Sequence, residues 1–287
     1  MSEAYLLVSH GSRDPRPEAA MEKLAINLSN KFENNSNNHP VGGLLSPTKY
    51  DYSRFALRFP IKIYPSLSPS LPLSLNHLGN LLPGREYLIG TAYLELHPQS
   101  LNKQIVDFSQ KAIARGCRNL KILPLFLLSG IHVTEDIPQE VELAKQALGK
   151  DISIDLQPHL GSYFSLQRLL VKTIGDRSLD GRIIVAHGSR RVEANKSIET
   201  MAISLNAVAA YWAISPSLKD MVAQLVADGK RKIGILPYFL FSGSITDAIT
   251  QSIQDLKLLF PEVSFQRYEP LGANGELIDL IWDLMHK

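Results

Sequence analysis

Cysteine is nearly absent. The 287-residue chain holds one, Cys117, and a single thiol cannot close an internal disulfide, complete a cysteine-ligated zinc site or hold an iron–sulfur cluster. A reducing compartment is the expectation, and the chain is expected to be cytoplasmic. Long apolar runs are missing as well. None approaches the roughly 20 residues that cross a bilayer, and the N-terminal MSEAYLLVSHG has a short apolar run with no basic segment before it, so neither a membrane span nor a signal peptide is expected. Charge of one sign is scarce. The net charge of +2 is too small for a surface that tracks phosphates, so nucleic acid is not an expected partner. The G-x-S-x-G elbow of serine hydrolases and the G-x-x-x-x-G-K-[ST] phosphate loop are both absent.

What is present is enough apolar sequence, 45%, to build about two ordinary soluble domains, and the chain repeats itself. LLVSHGSR (Leu6 to Arg13) returns as IIVAHGSR (Ile183 to Arg190). KILPLFLLSG (Lys121 to Gly130) returns as GILPYFLFSG (Gly234 to Gly243), and Gln157-Pro158-His159-Leu160-Gly161 is echoed by Glu269-Pro270-Leu271-Gly272. Three matched blocks in one order indicate an internal duplication, with one repeat over residues 1–178 and the other over 179–287.

Each repeat alternates strand and helix. Strands are predicted near 5–9, 87–95, 121–128 and 152–157, then near 182–186, 208–213, 232–240 and 263–268. Helices are predicted near 15–32, 98–115, 137–148 and 162–174, then near 192–206, 216–227, 245–259 and 275–286. Met21, Leu24, Ala25 and Leu28 form one helical stripe, and Ser215-Pro216 suits the start of another helix. The fold class is therefore α/β, with two tandem domains that each carry a small parallel sheet flanked by helices. The first repeat has an insertion, Asn34 to Gly84, whose Asn run and Ser-Pro-Leu repeats do not suit regular structure. It is expected to be either a plain surface insertion or a lid.

Two histidines stand at predicted strand ends, His10 after YLLVS and His132 after the apolar run ending in Ser129-Gly130. In an open α/β sheet that is where ligands bind. Glu135 and Asp136 read as acids favoured by a helix N-terminus. His97 is a candidate auxiliary contact, His39, His77 and His286 read as solvated, and His159 has no evident partner.

Strand-HGSR, then Tyr-Leu-Glu-Leu, then LPLFLLSG-x-H-x-x-x-D-I-P resembles the sirohydrochlorin chelatases, the CbiX/SirB-type class II enzymes that insert a divalent metal into a tetrapyrrole without ATP. The resemblance covers both repeats apart from the insertion. It implies tandem chelatase-like domains and a cleft in which His10 and His132 face each other, with Glu95 as the acidic residue. It also implies sirohydrochlorin and Fe²⁺ as substrates, Co²⁺ next and Ni²⁺ third, with no permanently bound cofactor. Neutral imidazole ligates such metals and accepts protons near pH 7, and metal entry must expel two pyrrole protons. The eight carboxylates of sirohydrochlorin call for donors, for which Gly11, Ser12, Arg13, Ser129 and Gly130 are candidates. The second repeat keeps His187 but has Ala213 and Ile245 where the first has Glu95 and His132. It is expected to be a degenerate copy within a monomer of pseudo-twofold symmetry. A non-catalytic tetrapyrrole or metal carrier on the same fold is the alternative.

Overall fold

The structure, a computed structural model, describes residues 3–36, 87–175, 178–190, 192–273 and 275–285. The insertion Asn34 to Gly84 therefore lies outside the described residues, apart from the end of the first helix. In the first repeat the strands are β1 (Glu3–Ser9), β2 (Tyr87–Tyr93), β3 (Asn119–Pro124) and β4 (Ser153–Leu156). They form one parallel sheet in the order β2-β1-β3-β4. Its helices are α1 (Pro15–Ser36), α2 (Leu101–Ala114), α3 (Ile137–Leu148) and α4 (Phe164–Ile174). The second repeat has β5 (Gly181–Ala186), β6 (Val208–Tyr211), β7 (Lys232–Pro237) and β8 (Ser264–Arg267) in the matching order β6-β5-β7-β8. Its helices are α5 (Val192–Ser204), α6 (Leu218–Ala227), α7 (Ser244–Leu259) and α8 (Gly275–Met285).

The strands read as continuous apolar runs because both faces of each sheet are covered. Along β1, Ala4, Leu6 and Val8 pack with α2 and α3, whereas Tyr5 and Leu7 pack against α1 and α4 on the other face. In β5, Ile183 and Val185 face outward and Ile184 inward. The two inward faces share one core, which joins Met21, Leu28 and Leu170 of the first repeat to Met201, Leu277 and Ile281 of the second. The repeats are thus fused through a common interior. Ile281→Ala is expected to cost about 2–5 kcal/mol and to lower a single cooperative transition for the whole chain in a denaturant melt.

Several boundaries differ from expectation for local reasons. The first helix continues through Asn34 and Asn35 to Ser36, since weak helix formers are tolerated in a last turn. The strand predicted to reach residue 128 stops at Pro124, which has no N–H for a ladder; beyond it the Phe126 carbonyl accepts from Gly161 N at 2.9 Å. Helix α6 starts at Leu218, and its cap is Ser217, whose hydroxyl and backbone N–H exchange hydrogen bonds with Asp220. Across the repeats, Arg16 Nη2 bridges Asp14 Oδ2 at 2.6 Å and Asp247 Oδ2 at 2.7 Å. The Arg16 guanidinium holds the Asp14 carboxyl down at about 2. Arg16 and Asp247 are both exposed, so their tie adds little stability.

Candidate metal centre

In the first sheet the chain leaves β1 toward β2 on one side and returns to β3 on the other, so the crossover direction reverses between β1 and β3. Such a reversal opens a crevice beyond the strand ends. His10 lies one residue past β1, and Glu95 two past β2. The ladder extends far enough to fix them together: Leu94 N donates to Ser9 O at 2.9 Å and Glu95 N to His10 O at 2.9 Å. Gly11 makes the approach possible. Its φ is +95°, and a Cβ there would lie 2.0 Å from the Glu95 carbonyl oxygen. On the other flank, Leu125 N donates to Val8 O at 2.7 Å, and the chain after β3 leads to His132.

His10, Glu95 and His132 each offer a ligand atom within 4.8 Å of the other two. The two imidazoles meet edge to face at 4.9 Å between centroids, 81° apart, and Phe126 flanks both, 6.4 Å from His10 and 6.3 Å from His132. His10 Nε2 stands 3.8 Å from Glu95 Oε2, too far for a hydrogen bond. Two ligand atoms on one ion of this type are at most about 4.2 Å apart, so the three fit a divalent cation after small side-chain rotations. The cluster is open, with His10 and Glu95 side chains half exposed at 49% and 48%. An ion held there by three protein ligands would have free positions facing solvent.

The ring nitrogens are distinguished by their partners. His10 Nδ1 faces Gly11 O at 3.3 Å; a carbonyl only accepts, so this contact favours the tautomer with the hydrogen on Nδ1, which leaves Nε2 for the site. His132 Nδ1 is engaged by Asp136 Oδ2 at 2.7 Å. The carboxylate was not legible as its partner, because Asp136 was expected to serve the helix dipole. His132 is expected at a strand end, whereas it opens a π-helical turn, His132–Asp136, that runs directly into α3.

The remaining candidates separate. Ser12 Oγ accepts from Asp14 N at 3.0 Å, as a turn residue does, while Arg13 and Ser129 are exposed. The Gly130 carbonyl accepts from Val133 N and Thr134 N at 3.0 and 3.1 Å, and a Cβ at Gly130 would meet nothing. His97 is outside the cluster. The strand ends at Tyr93, Leu96 takes a positive φ, and His97 Nδ1 accepts from Gln99 N at 3.1 Å. Burial pushes the His159 imidazole down. His39, His77 and His286 lie outside the described residues.

The second repeat reproduces the loop and, among the described residues, lacks the cluster. Ala213 N donates to His187 O at 2.9 Å, as Glu95 N does to His10 O, and His187 Nδ1 faces Gly188 O at 2.9 Å. Ile245, in the place of His132, packs on the outer core of its own sheet. This repeat also has a cavity of 320 Å³ between α6 and α7, lined by Trp212, Lys219, Ser252 and Leu256 among others. In the first repeat the position of Ser252 is held by Glu140, which accepts from Asn102 N at 2.7 Å. Ser252 in its place is too short to do so. The cavity contains none of the clustered residues.

A family model described as CbiX matches residues 81–177 and, again, 181–286. Sirohydrochlorin ferrochelatase of Bacillus subtilis (strain 168) is 25% identical over 175 residues, 55% of this chain and 65% of that protein. The chloroplastic sirohydrochlorin ferrochelatase of Arabidopsis thaliana is 33% identical over 124 residues, 40% of this chain and 54% of that one. The match thus spans less than two thirds of each relative's length. Among solved structures, SirB from Bacillus subtilis with Fe³⁺ superposes with a TM-score of 0.66 at 17% identity, covering 100% of this chain and 95% of that one. At that identity the likeness concerns the fold.

Proposed function

The chain belongs to the CbiX family, and on that footing we propose that it is a cytoplasmic sirohydrochlorin chelatase acting without ATP. Fe²⁺ is the proposed metal substrate, with Co²⁺ next and Ni²⁺ third. The first repeat, 1–178, carries the reaction, and the degenerate second repeat, 179–287, completes a pseudo-symmetric monomer. The observation that carries this reading is the convergence of His10 and Glu95, just past β1 and β2, with His132, in the turn that leads into α3, within 4.8 Å of one another.

The reaction asks for a site that holds a metal loosely on one side of a macrocycle and takes up two protons as it enters. Two neutral imidazoles and a carboxylate are ligands suited to Fe²⁺ and Co²⁺, and the half-exposed positions of His10 and Glu95 leave room for ring nitrogens to replace solvent. As the metal moves to the ring, His10 Nε2 and Glu95 Oε2, released from it, accept the departing pyrrole protons. Four closed protein ligands would instead retain the ion. Arg13, exposed on the loop after His10, and the backbone around Ser129-Gly130 are proposed to meet the carboxylates of the substrate.

The test is the rate of metal insertion into sirohydrochlorin by the purified chain, followed by absorbance with each metal and corrected for the uncatalysed reaction. Turnover beyond one equivalent supports the reading. Stoichiometric binding without turnover would make the protein a carrier. A second expected result concerns the metal alone. Imidazole ligates only in its neutral form, so Co²⁺ affinity should fall steeply on acidification, with a dependence approaching two protons per ion. An affinity indifferent to pH would remove His10 and His132 as ligands.

A further inference from the structure

The two repeats share their loops but differ by one residue at the start of the helix after the third strand. Six residues separate Gly130 from Ile137, whereas five separate Gly243 from Ile249. Both isoleucines are buried in equivalent positions of the outer cores, at 0% and 1% exposure. Helices absorb one extra residue by opening a π turn, and such turns recur at functional sites. Here the turn is His132–Asp136. In the second repeat α7 begins normally at Ser244, and Thr246 Oγ1 accepts from Gly243 N at 2.8 Å. The extra residue therefore falls where His132 and Asp136 pair.

We propose that Asp136 is a positioning residue, which holds His132 in the Nδ1–H tautomer and aims Nε2 at the metal. The inference rests on the chelatase reading of the site and deepens it. An Nδ1–H donated to a carboxylate both fixes the ring and makes its other nitrogen a stronger ligand. His10 and His187 have only a carbonyl of their own loops in that place, at 3.3 and 2.9 Å. The arrangement makes His132 the anchoring ligand of the triad and His10 the weaker one, from which a metal is more readily drawn to a tetrapyrrole. A plain surface pair at i,i+4 is the competing account. It explains neither the added residue nor the choice of nitrogen, and such pairs form without a π turn.

The experiment titrates Co²⁺ into the full chain, reading affinity by calorimetry and ligand geometry by the visible d–d bands. Asp136→Ala should weaken Co²⁺ binding about 10- to 100-fold and alter the band intensities, with the metal-free melting temperature close to wild type. Asp136→Asn should fall between, because its amide oxygen still accepts Nδ1–H without the charge; this near-isosteric variant also decides the matter if the alanine variant fails to fold. Glu135→Ala, which removes the neighbouring exposed carboxylate, should bind as wild type does. Wild-type affinity and bands in Asp136→Ala would overturn the inference, as would wild-type protein that binds no Co²⁺, or equal losses in Asp136→Ala and Glu135→Ala. Co²⁺ binding that depends on Asp136 in a protein without chelation turnover would instead uphold the positioning role and sink the chelatase reading.

Discussion

His132→Ala and His10→Ala should each lower the chelation rate by about 10²-fold or more, whereas His187→Ala should leave it within about twofold. The duplication supplies the control. His10 and His187 follow equivalent strands, and each ring faces the carbonyl of the glycine after it. Replacement by alanine thus removes the same atoms from the same kind of loop. Among the described residues only His10 of the two has metal-ligating neighbours, since Glu95 and His132 lie within 4.8 Å of it, while the second repeat offers Ala213 and Ile245. Initial rates with sirohydrochlorin and Co²⁺, set beside thermal melts, separate chemistry from folding. A well-folded His187→Ala protein that has lost activity, beside an active His132→Ala, would put the reaction in the wrong repeat.

Much of the fold is legible in the sequence, because both repeats carry the same pattern of strands and helices. Apolar runs such as Ala4 to Val8 announce strands covered on both faces, and alternating helices leave a parallel sheet as the economical arrangement. A histidine after each of two such strands then points to the crevice at their ends. Glu95 was harder. It lies past the end of β2, where a positive φ at Leu96 turns the chain, and only the resemblance marked it. The same turn takes His97 away from the face it would have shared on a continuing strand.

Two features were out of reach for different reasons. The tie between Arg16 and Asp247 joins residues 231 apart in the chain, and nothing in either local pattern names the other. The pairing of His132 with Asp136 was hidden by a helix start placed at Ile137. Proline at 138 and acids at 135 and 136 look like a first turn with a dipole-favoured N-terminus, and a π turn has no residue signature of its own. The clue was the spacing. Counted against the second repeat, the glycine and the buried isoleucine stand one residue too far apart. Comparing repeats by interval, as well as by identity, exposes that insertion.

Gly11→Ala should damage the site through the backbone, without removing a ligand. At φ +95° a side chain is strained wherever it sits, at a cost of about 1–3 kcal/mol. The larger obstacle is the neighbour. An added Cβ would fall 2.0 Å from the carbonyl oxygen of Glu95 and 3.0 Å from its carbonyl carbon. Backbone cannot swing aside as a side chain tip can, so the loops carrying His10 and Glu95 must separate, and the Glu95 N to His10 O bond at 2.9 Å is strained with them. Gly188→Ala is the matched control. Its φ is +82°, but its Cβ would meet side chains, Ile214 Cγ1 and Tyr211 Cβ, each at 2.8 Å. Both variants should lose stability, and only Gly11→Ala should also lose Co²⁺ affinity and chelation, by about 10-fold or more if ligand placement governs binding as it does at other metal sites. Thermal melts and Co²⁺ titrations on the two proteins measure both effects. Equal losses of metal affinity in the two would mean that the approach of the loops does not build the site.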